Sequence, residues 1–585
     1  MYKKNQICTV TITDLGAEGE GIGKIDGYPL FVKDALPGDV IEARLTKVKK
    51  NFAFARLERI LKPSEDRVEA ACPYARQCGG CQIMPLSYEK QLRFKEQKVY
   101  NNLQRIGGLE PELLDACMEP IIGMDPRDTM CLGDTGNPEA KAVPLRYRNK
   151  AQFPFGRDKN GQTICGFYAG RTHTIIPNTD CLLGIQENKQ VLEAVLSYME
   201  QCHVKPYEES SQRGLIRHVL IRKGHYSGQI MVCLIINGKS LPKPDVLISK
   251  LCDIEGMHSI SISSNGKNTN VILGETYETI WGEDTIEDTV FRVEEKDGQW
   301  ERKEDMGVTF RISPLSFYQV NPVQMERLYS TALSYAGLTG REMVWDLYCG
   351  IGTISLFLAK KAARVYGVEI VPQAIRDAKE NAERNGLDNV EFYVGKAEEV
   401  LPEFYSRMDA GSDMLHPDVI VVDPPRKGCD EACLSTMVKM QPQRIVYVSC
   451  DSATLARDVK YLRENGYELN RFRACDMFGN TGHVETVVLL SQQKPDDVIE
   501  VEIELDELDL TTAESKATYK EIQEYVLKEY GLKVSNLYIS QVKRKCGIQV
   551  GENYNLPKSE DSRQPQCPEE KEKAIKDALE HFGMV

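Results

Sequence analysis

Cys450 is the side chain best placed to form a covalent bond. It follows Ile445–Val448, a β-branched and aromatic run that suits a buried strand, and Leu455-Ala456-Arg457 beyond it read as a helical turn. Ligands of open α/β sheets sit at the carboxyl ends of strands, so a thiol there can be aimed at a substrate. A lone cysteine is more often a small buried hydrophobe, but two neighbouring motifs argue against that here. Asp418–Val422 is a second apolar strand, and Pro424-Pro425 stop it with Asp423 at its tip, because proline continues neither a ladder nor a helix. Thr481-Gly482-His483-Val484-Glu485 precedes a third apolar strand, Thr486–Leu490. Three strand edges would bring a thiol and two carboxylates to one region. That trio suits covalent activation of a ring carbon followed by proton abstraction, with His483 as the rival base.

The elements that position the trio begin at Met343. Met343–Leu347 is a strand that enters DLYCGIGT, a tight glycine turn holding Tyr348 and Gly350 and leading into a helix. Val365–Val368 is the next strand and ends in Glu369. A carboxylate at that tip can accept both hydroxyl hydrogen bonds of a ribose. The spacing alone leaves a dinucleotide open. Pro372–Asn385 reads as a helix stopped by Asn385-Gly386, and Val390–Val394 as a third strand of the set. Met325–Ala336 reads as the helix leading into this sheet.

Upstream, residues 1–60 alternate as a small barrel with strands at Cys8–Thr13, Tyr28–Val32, Asp39–Lys47 and Phe52–Ile60, and with Gly16, Gly19, Gly21 and Gly23 at turns. Cys72, Cys78 and Cys81 form a C-x5-C-x2-C cluster; thiolates suit zinc or an iron–sulfur cluster, and either needs a fourth ligand. A helix is predicted over 82–107 from Leu92, Phe94, Val99, Leu103 and Ile106. Residues 124–141 are turn-rich and read as an exposed insertion. From Tyr147 to about Phe310 short strands predict a β-rich region, and LIRHVLIRK at 215–223 reads as a half-buried strand.

At 585 residues the chain is too long for one core and predicts three or four domains. It holds no apolar run long enough to span a bilayer and no apolar amino-terminal segment, so a cytoplasmic protein is expected, with no membrane partner. The 18 cysteines then suggest metal ligation and catalysis rather than disulfides. A net charge of −14 is awkward for nucleic acid, but residues 496–585 alone carry 20 Asp+Glu against 12 Lys+Arg. Basic runs lie elsewhere, at 47–50, 146–150 and 213–223. In the tail, helices are predicted at Ser515–Tyr530 and Glu569–Phe582 and an acidic alternating segment at Val498–Leu508.

DPPRKG, VSCDSATLARD and DMFGNTGHVET together resemble the motifs of the RNA uracil-5 methyltransferases, especially the bacterial ribosomal-RNA branch that carries an iron–sulfur cluster. The resemblance covers residues 1 to about 491. It implies Cys450 as nucleophile to uracil C6, Glu485 as the base that removes the C5 proton, and Asp423 on the uracil edge. It implies S-adenosylmethionine as cofactor, with Gln319 of PLSFYQVN, Tyr348, Gly350, Glu369 and Asp423 around it. It places Cys181 as fourth ligand of a [4Fe–4S] cluster beside Cys72, Cys78 and Cys81, with Cys165 as local competitor. It marks residues 1–62 as a TRAM domain of the oligonucleotide-binding barrel type. The expected architecture is multidomain α/β: that barrel, a β-rich central domain at 63–312 with the cysteine cluster, a Rossmann-like methyltransferase domain at 313–492, and a small acidic α-rich extension at 493–585. The expected partner of this monomer is RNA, with ribosomal RNA favoured and transfer RNA open. An amino-group methyltransferase using Asp-Pro-Pro, or a non-catalytic RNA-binding factor, would need neither Cys450 nor Glu485.

Overall fold

The β-branched runs and helices after residue 342 assemble one eight-stranded sheet in the order Val390–Val394, Arg364–Glu369, Met343–Leu347, Val419–Val422, Arg444–Ser449, Glu485–Gln492, Tyr467–Cys475, Met118–Ile122. In this computed structural model residues 2–125, 144–170, 172–408, 416–493, 519–546, 548, 567–582 and 584 are described. The central strands are buried on both faces, which is why Val419–Val422 reads as an unbroken apolar run. Glu485–Gln492 is antiparallel to both its neighbours, and the remaining pairs are parallel. Helices cover both faces. Pro322–Ala336 is buried almost all round, whereas Pro372–Arg384 and Ser452–Glu464 each bury one stripe. The outermost strand, Met118–Ile122, comes from ahead of the central region, and the helices Tyr88–Arg105 and Pro111–Cys117 that lead to it pack against the same sheet. No periodicity in 118–122 announces that pairing.

The amino-terminal region is a closed five-stranded barrel, Ile7–Leu15, Gly21–Ile25, Tyr28–Lys33, Val40–Val48 and Ala53–Lys62. Gly21 and Gly23, read as turn residues, instead lie inside a strand. A Cβ at either would stand 2.5 Å from Ala35 O or 2.6 Å from Thr11 O, so the glycines permit close backbone approach. The central region holds a seven-stranded sheet over Lys150–Gly282 and a long hairpin, Ile286–Lys296 with Gln299–Ile312.

The strand Ile216–Lys223 is buried on both sides, not half-solvated. Arg217 donates to Asn265 O and Lys267 O, and Arg222 to Ser313 O and Ser316 O. The two arginines therefore serve as internal clamps on loop carbonyls. The predicted helix at 82–107 is shorter, Tyr88–Arg105, and its buried stripe is Gln91, Lys95, Val99 and Leu103. Ile106, read as part of its apolar face, is exposed.

The chain divides into two compact units, Met1–Lys494 and Pro495–Val585. The second contains Tyr519–Tyr530, Asn536–Lys545 and Glu569–His581, which share a core of Ile522, Val526, Ile539, Val542, Ile575 and Leu579. The middle helix was not anticipated. Most of the turn-rich stretch 124–141 and all of Val498–Leu508 lie outside the described residues.

Candidate active site

Val422 pairs with Tyr447 in the parallel ladder, and Ser449 pairs with Thr486 in the antiparallel one. The register carries the chemistry to one edge. One residue past Ser449 and one before Thr486 stand Cys450 and Glu485, side by side across the ladder. Asp423 leaves the adjoining strand at the same end. After Cys450 the chain turns into the helix Ser452–Glu464, whose N-cap, Asp451, accepts from the backbone N–H groups of Ala453 (2.9 Å) and Thr454 (3.2 Å). The thiol is thus held between a strand end and a capped helix start.

These three groups line one cavity of about 880 Å3, together with Gln319, Tyr348, Gly350 and Glu369. Its other end is the glycine turn. Tyr348, Gly350 and Gly352 all take positive φ (67°, 56° and 82°). At Gly352, where the helix Thr353–Ala359 starts, a Cβ would press on Phe392 and Ala378 at 3.1 and 3.3 Å. Tyr348 bears that backbone conformation without glycine's freedom, which L residues adopt at a cost. Glu369 is tied into the turn, accepting from Gly350 N (3.3 Å) and Val371 N (2.9 Å). Asp346 is fully buried on the same wall. One of its carboxylate oxygens accepts from Ser355 Oγ and the other has no protein partner.

Burial dominates the electrostatics. It pushes Asp423 up to about 7, and burial with the neighbouring Asp423 charge pushes Glu485 up to about 8. The Cys450 thiol is raised to about 11 by burial and then by Glu485 and Asp423. Arg426, on the pocket rim, acts against this for both Cys450 and Glu485. The free site therefore holds the thiol protonated rather than activated. Two neutral carboxyls beside Cys450 remove the repulsion that opposes a thiolate, so thiol activation is coupled to the protonation of its neighbours. His483 also faces the cavity, and burial together with Arg426 and Lys98 lowers its pKa.

Sequence reasoning left three wall residues unassigned. Phe317 is 65% exposed at the cavity mouth, Phe478 stands beside His483, and Asp346 sits under the glycine turn. It also missed how the loop before Glu485 is held. Lys95, wholly buried, donates to Asp476 and to Phe478 O (2.9 Å); Tyr88 OH donates to Asp476 (2.8 Å); and Gln91 accepts from Asn480 N (2.9 Å). Lys98 donates to Gly482 O (2.9 Å) and to Ala17 O of the barrel (3.0 Å). Polar residues at i, i+3 and i, i+4 spacing on an otherwise unremarkable helix were the available signal.

Cys72, Cys78, Cys81 and Cys181 gather in a second place. Each contributes to or feels the electrostatics of the others, and Cys72, Cys81 and Cys181 pack on one apolar cluster with Leu145, Tyr147 and Leu183. Cys165 belongs instead to the central-domain core. Backbone N–H groups point at three of the four sulfurs: Gly80 at Cys78 (3.4 Å), Tyr74 at Cys72, and Leu183 and Gly184 at Cys181. Among the described residues, however, no three His, Cys, Asp or Glu side chains are drawn in tightly enough to hold a metal ion. The thiols match a metal site in number and kind, not in closure.

The fold and cavity define a methyltransferase class, and the comparisons with known proteins agree. Residues 296–493 match the family profile described as tRNA (Uracil-5-)-methyltransferase, and residues 3–57 match the TRAM domain. The chain is 45% identical over 488 residues to an uncharacterized RNA methyltransferase of Halalkalibacterium halodurans, covering 83% of this chain and 97% of the relative. A Clostridium tetani relative of the same description is 43% identical over 490 residues, covering 84% and 97%. The chain belongs to this RNA methyltransferase family. Among solved structures, Pyrococcus abyssi tRNA (uracil-54, C5)-methyltransferase in complex with S-adenosyl-L-homocysteine superposes with a TM-score of 0.60 at 25% identity, over 83% of this chain and 100% of that one. Among the described residues no helix is long and apolar enough to cross a membrane.

Proposed function

We propose that this protein methylates C5 of a uridine in RNA through a transient bond from Cys450 to uracil C6. The observation that carries the reading is the register that sets Cys450 beside Glu485, with Asp423 in the same cavity as the glycine turn. Neither rival reading needs that arrangement. An amino-group methyltransferase has no use for the thiol, and an RNA-binding factor has no use for the cavity.

The residues around the turn fit S-adenosylmethionine: Glu369 at the strand tip for the ribose hydroxyls, an unpartnered Asp346 oxygen beneath, and space at Gly350, where an added Cβ meets nothing within 4 Å. The cofactor, when bound, supplies the methyl group. Gln319 and Tyr348 would close the site around it.

Uracil C5 is a poor nucleophile until a thiolate adds to C6, which converts the ring to an enolate with electron density at C5. Asp423, neutral below about pH 7, would donate a hydrogen bond to the uracil edge where that charge develops. Once C5 carries the methyl group, Glu485 in its carboxylate form would take the C5 proton, and the electron pair released expels the Cys450 thiolate from C6. A base titrating near 8 is well matched to work at neutral pH. The target base must leave any stack to reach the thiol, so single-stranded or flipped-out RNA is the expected substrate, with the barrel adding RNA contact.

The four thiols would hold a [4Fe–4S] cluster, the N–H···S hydrogen bonds to three of them favouring the thiolate form. That donor set favours ribosomal RNA, by resemblance to the branch that carries such a cluster; the likeness to a transfer-RNA enzyme favours the second reading. Mass spectrometry of ribosomal and transfer RNA from a strain lacking the protein tests both. Loss of 5-methyluridine from one RNA names the substrate, and unchanged 5-methyluridine in both overturns the proposal.

A further inference from the structure

We propose that a cleft at one edge of the central seven-stranded sheet, beside Tyr168 and His218, is a second base-binding site. It would hold an unstacked nucleotide of the same RNA while the target uridine occupies the catalytic cavity. The inference rests on the reading above that RNA is the substrate.

The cleft has a volume of about 520 Å3 and lies between the hairpin Lys150–Arg157 with Thr163–Tyr168 and the loop before Ile216–Lys223. That size falls in the range of pockets that take small ligands. Its walls carry flat rings. Tyr168 stacks on His173 with centroids 5.2 Å apart and planes 25° apart, and it meets His218 edge-on at 6.5 Å. The His173 side chain is 63% exposed, so the stack is open to a further ring. His218 is 8% exposed, and its Nδ1 has no hydrogen-bond partner among the described residues. Burial and then Arg217 lower its pKa to about 4, so near pH 7 the ring is neutral and offers one donor and one acceptor. A polar ring buried without a partner is costly until something meets it.

The acidic groups around the cleft are already engaged. Asp158 accepts from Asn160 N (2.9 Å) and Gln162 N (2.8 Å), Glu208 from Ser211 Oγ (2.7 Å), and Glu209 meets His173 Nδ1 (2.6 Å). Lys159, in the hairpin turn, has no ion-pair partner among the described residues.

The strand Ile216–Lys223 runs from this cleft to the catalytic cavity. His218, Leu220 and Arg222 alternate onto one face of it, opposite Pro154, Gln152 and Lys150 of the neighbouring strand. At the far end of that face Arg222 donates to Ser316 O (2.9 Å), and Asn149 Nδ2 donates to Gln319 O (3.2 Å); Phe317 and Gln319 line the cavity. His218 and Arg222 are four residues apart, roughly 13 Å along a strand. Between the two sites, Lys150 has no ion-pair partner among the described residues, and burial followed by Arg222 lowers its pKa to about 7. A phosphate beside it would restore its charge. A single strand that crosses this face therefore meets a base site at each end and a cation between them. Two base sites at a fixed separation measure the RNA, so the cleft helps select which uridine is presented to Cys450.

The experiment uses the full chain, as wild type, Tyr168→Ala and Tyr168→Phe. The probe is a 23S ribosomal RNA transcript, with transfer RNA transcripts as the alternative, bound without S-adenosylmethionine and cross-linked by short-wave ultraviolet light. Mass spectrometry of wild type should find nucleotides on peptides that hold Tyr168 or His173, as well as on those that line the catalytic cavity. Tyr168→Ala should bind RNA roughly five- to 150-fold more weakly, the scale of one lost base stack. Its dissociation constant for S-adenosylmethionine should stay within about twofold of wild type. Tyr168→Phe, which keeps the ring, should bind RNA like wild type. Cross-links confined to the barrel and the catalytic cavity overturn the inference, and so does a Tyr168→Ala protein that binds RNA as tightly as wild type. Should Tyr168→Ala not fold, the wild-type cross-links decide. Binding of neither transcript also overturns it. A cross-link in the cleft with no adduct on 5-fluorouridine-substituted RNA would sink the uracil reading and spare this one; an adduct with no such cross-link does the reverse.

Discussion

The strand-tip cavity and the thiol cage each collect reactive groups from distant parts of the chain, but by different means. The cavity groups project from strand ends of one sheet, so ladder register sets their mutual positions, and Cys450 follows Glu485 across the antiparallel pair. The cage groups sit on loops held by isolated hydrogen bonds, with Cys181 about a hundred residues from Cys81 in sequence. The cavity accordingly tolerates buried carboxyls raised to about 7 and 8, because rigid strands keep the groups together against their repulsion. The cage has thiols whose burial favours the protonated form until a cation offsets it. The difference is one of constraint: ladder register fixes the groups at the strand tips, and separate hydrogen bonds fix those on the loops.

Cys450→Ala tests the first half most severely. It should lower turnover by at least about 1,000-fold and abolish the covalent adduct with 5-fluorouridine-substituted RNA, while RNA and cofactor still bind. Near-normal turnover would end the uracil-C5 assignment. Glu485→Gln should slow turnover by about 100- to 10,000-fold. It should also accumulate a methylated protein–RNA complex that survives denaturing electrophoresis, because deprotonation is the last step before the thiol leaves. Next in size, Glu369→Ala should weaken S-adenosylmethionine binding by about 1.5–3 kcal/mol through lost charge-assisted hydrogen bonds. Calorimetry giving an unchanged dissociation constant would make Glu369 a mere brace of the glycine turn.

The cage is tested by composition. Cys181→Ala should remove bound iron and Cys165→Ala should not, since Cys165 packs in the central-domain core; iron analysis with the reverse result reassigns the fourth ligand. The smallest effect is on stability. A carboxyl whose folded pKa lies above its unfolded value, near 4, holds its proton longer in the native state. Its contribution is therefore intact below about pH 4 and is lost as pH rises to the folded value. For Asp423 and Glu485 the loss spans about pH 4 to 8. Glu485→Gln should then melt higher than wild type at pH 8.5, with the gap closing at pH 4.5. An equal gap at both pH values would place the repulsion elsewhere.

Several elements could be read directly from residue order. The strands before Asp423 and Cys450 are marked by β-branched runs that end at prolines or a helix cap. The glycine turn is marked by Gly350 and Gly352, with Glu369 one strand later. Those are local signals, since each depends on a handful of adjacent residues satisfying their own backbone. Tertiary structure decided what depends on partners. Gln91 and Lys95 are buried because the helix Tyr88–Arg105 meets the loop that holds Asp476 and Asn480, far along the chain. Arg217 and Arg222 became internal clamps because loop carbonyls wrapped over them. Met118–Ile122 joined the eight-stranded sheet only because the edge at Tyr467–Cys475 was open to it. The state of the Cys450 thiol was decided the same way. Its neighbours in sequence predict a nucleophile, but only the folded cavity, by burying it beside Glu485 and Asp423 and facing both it and Glu485 with Arg426, sets when it can lose its proton.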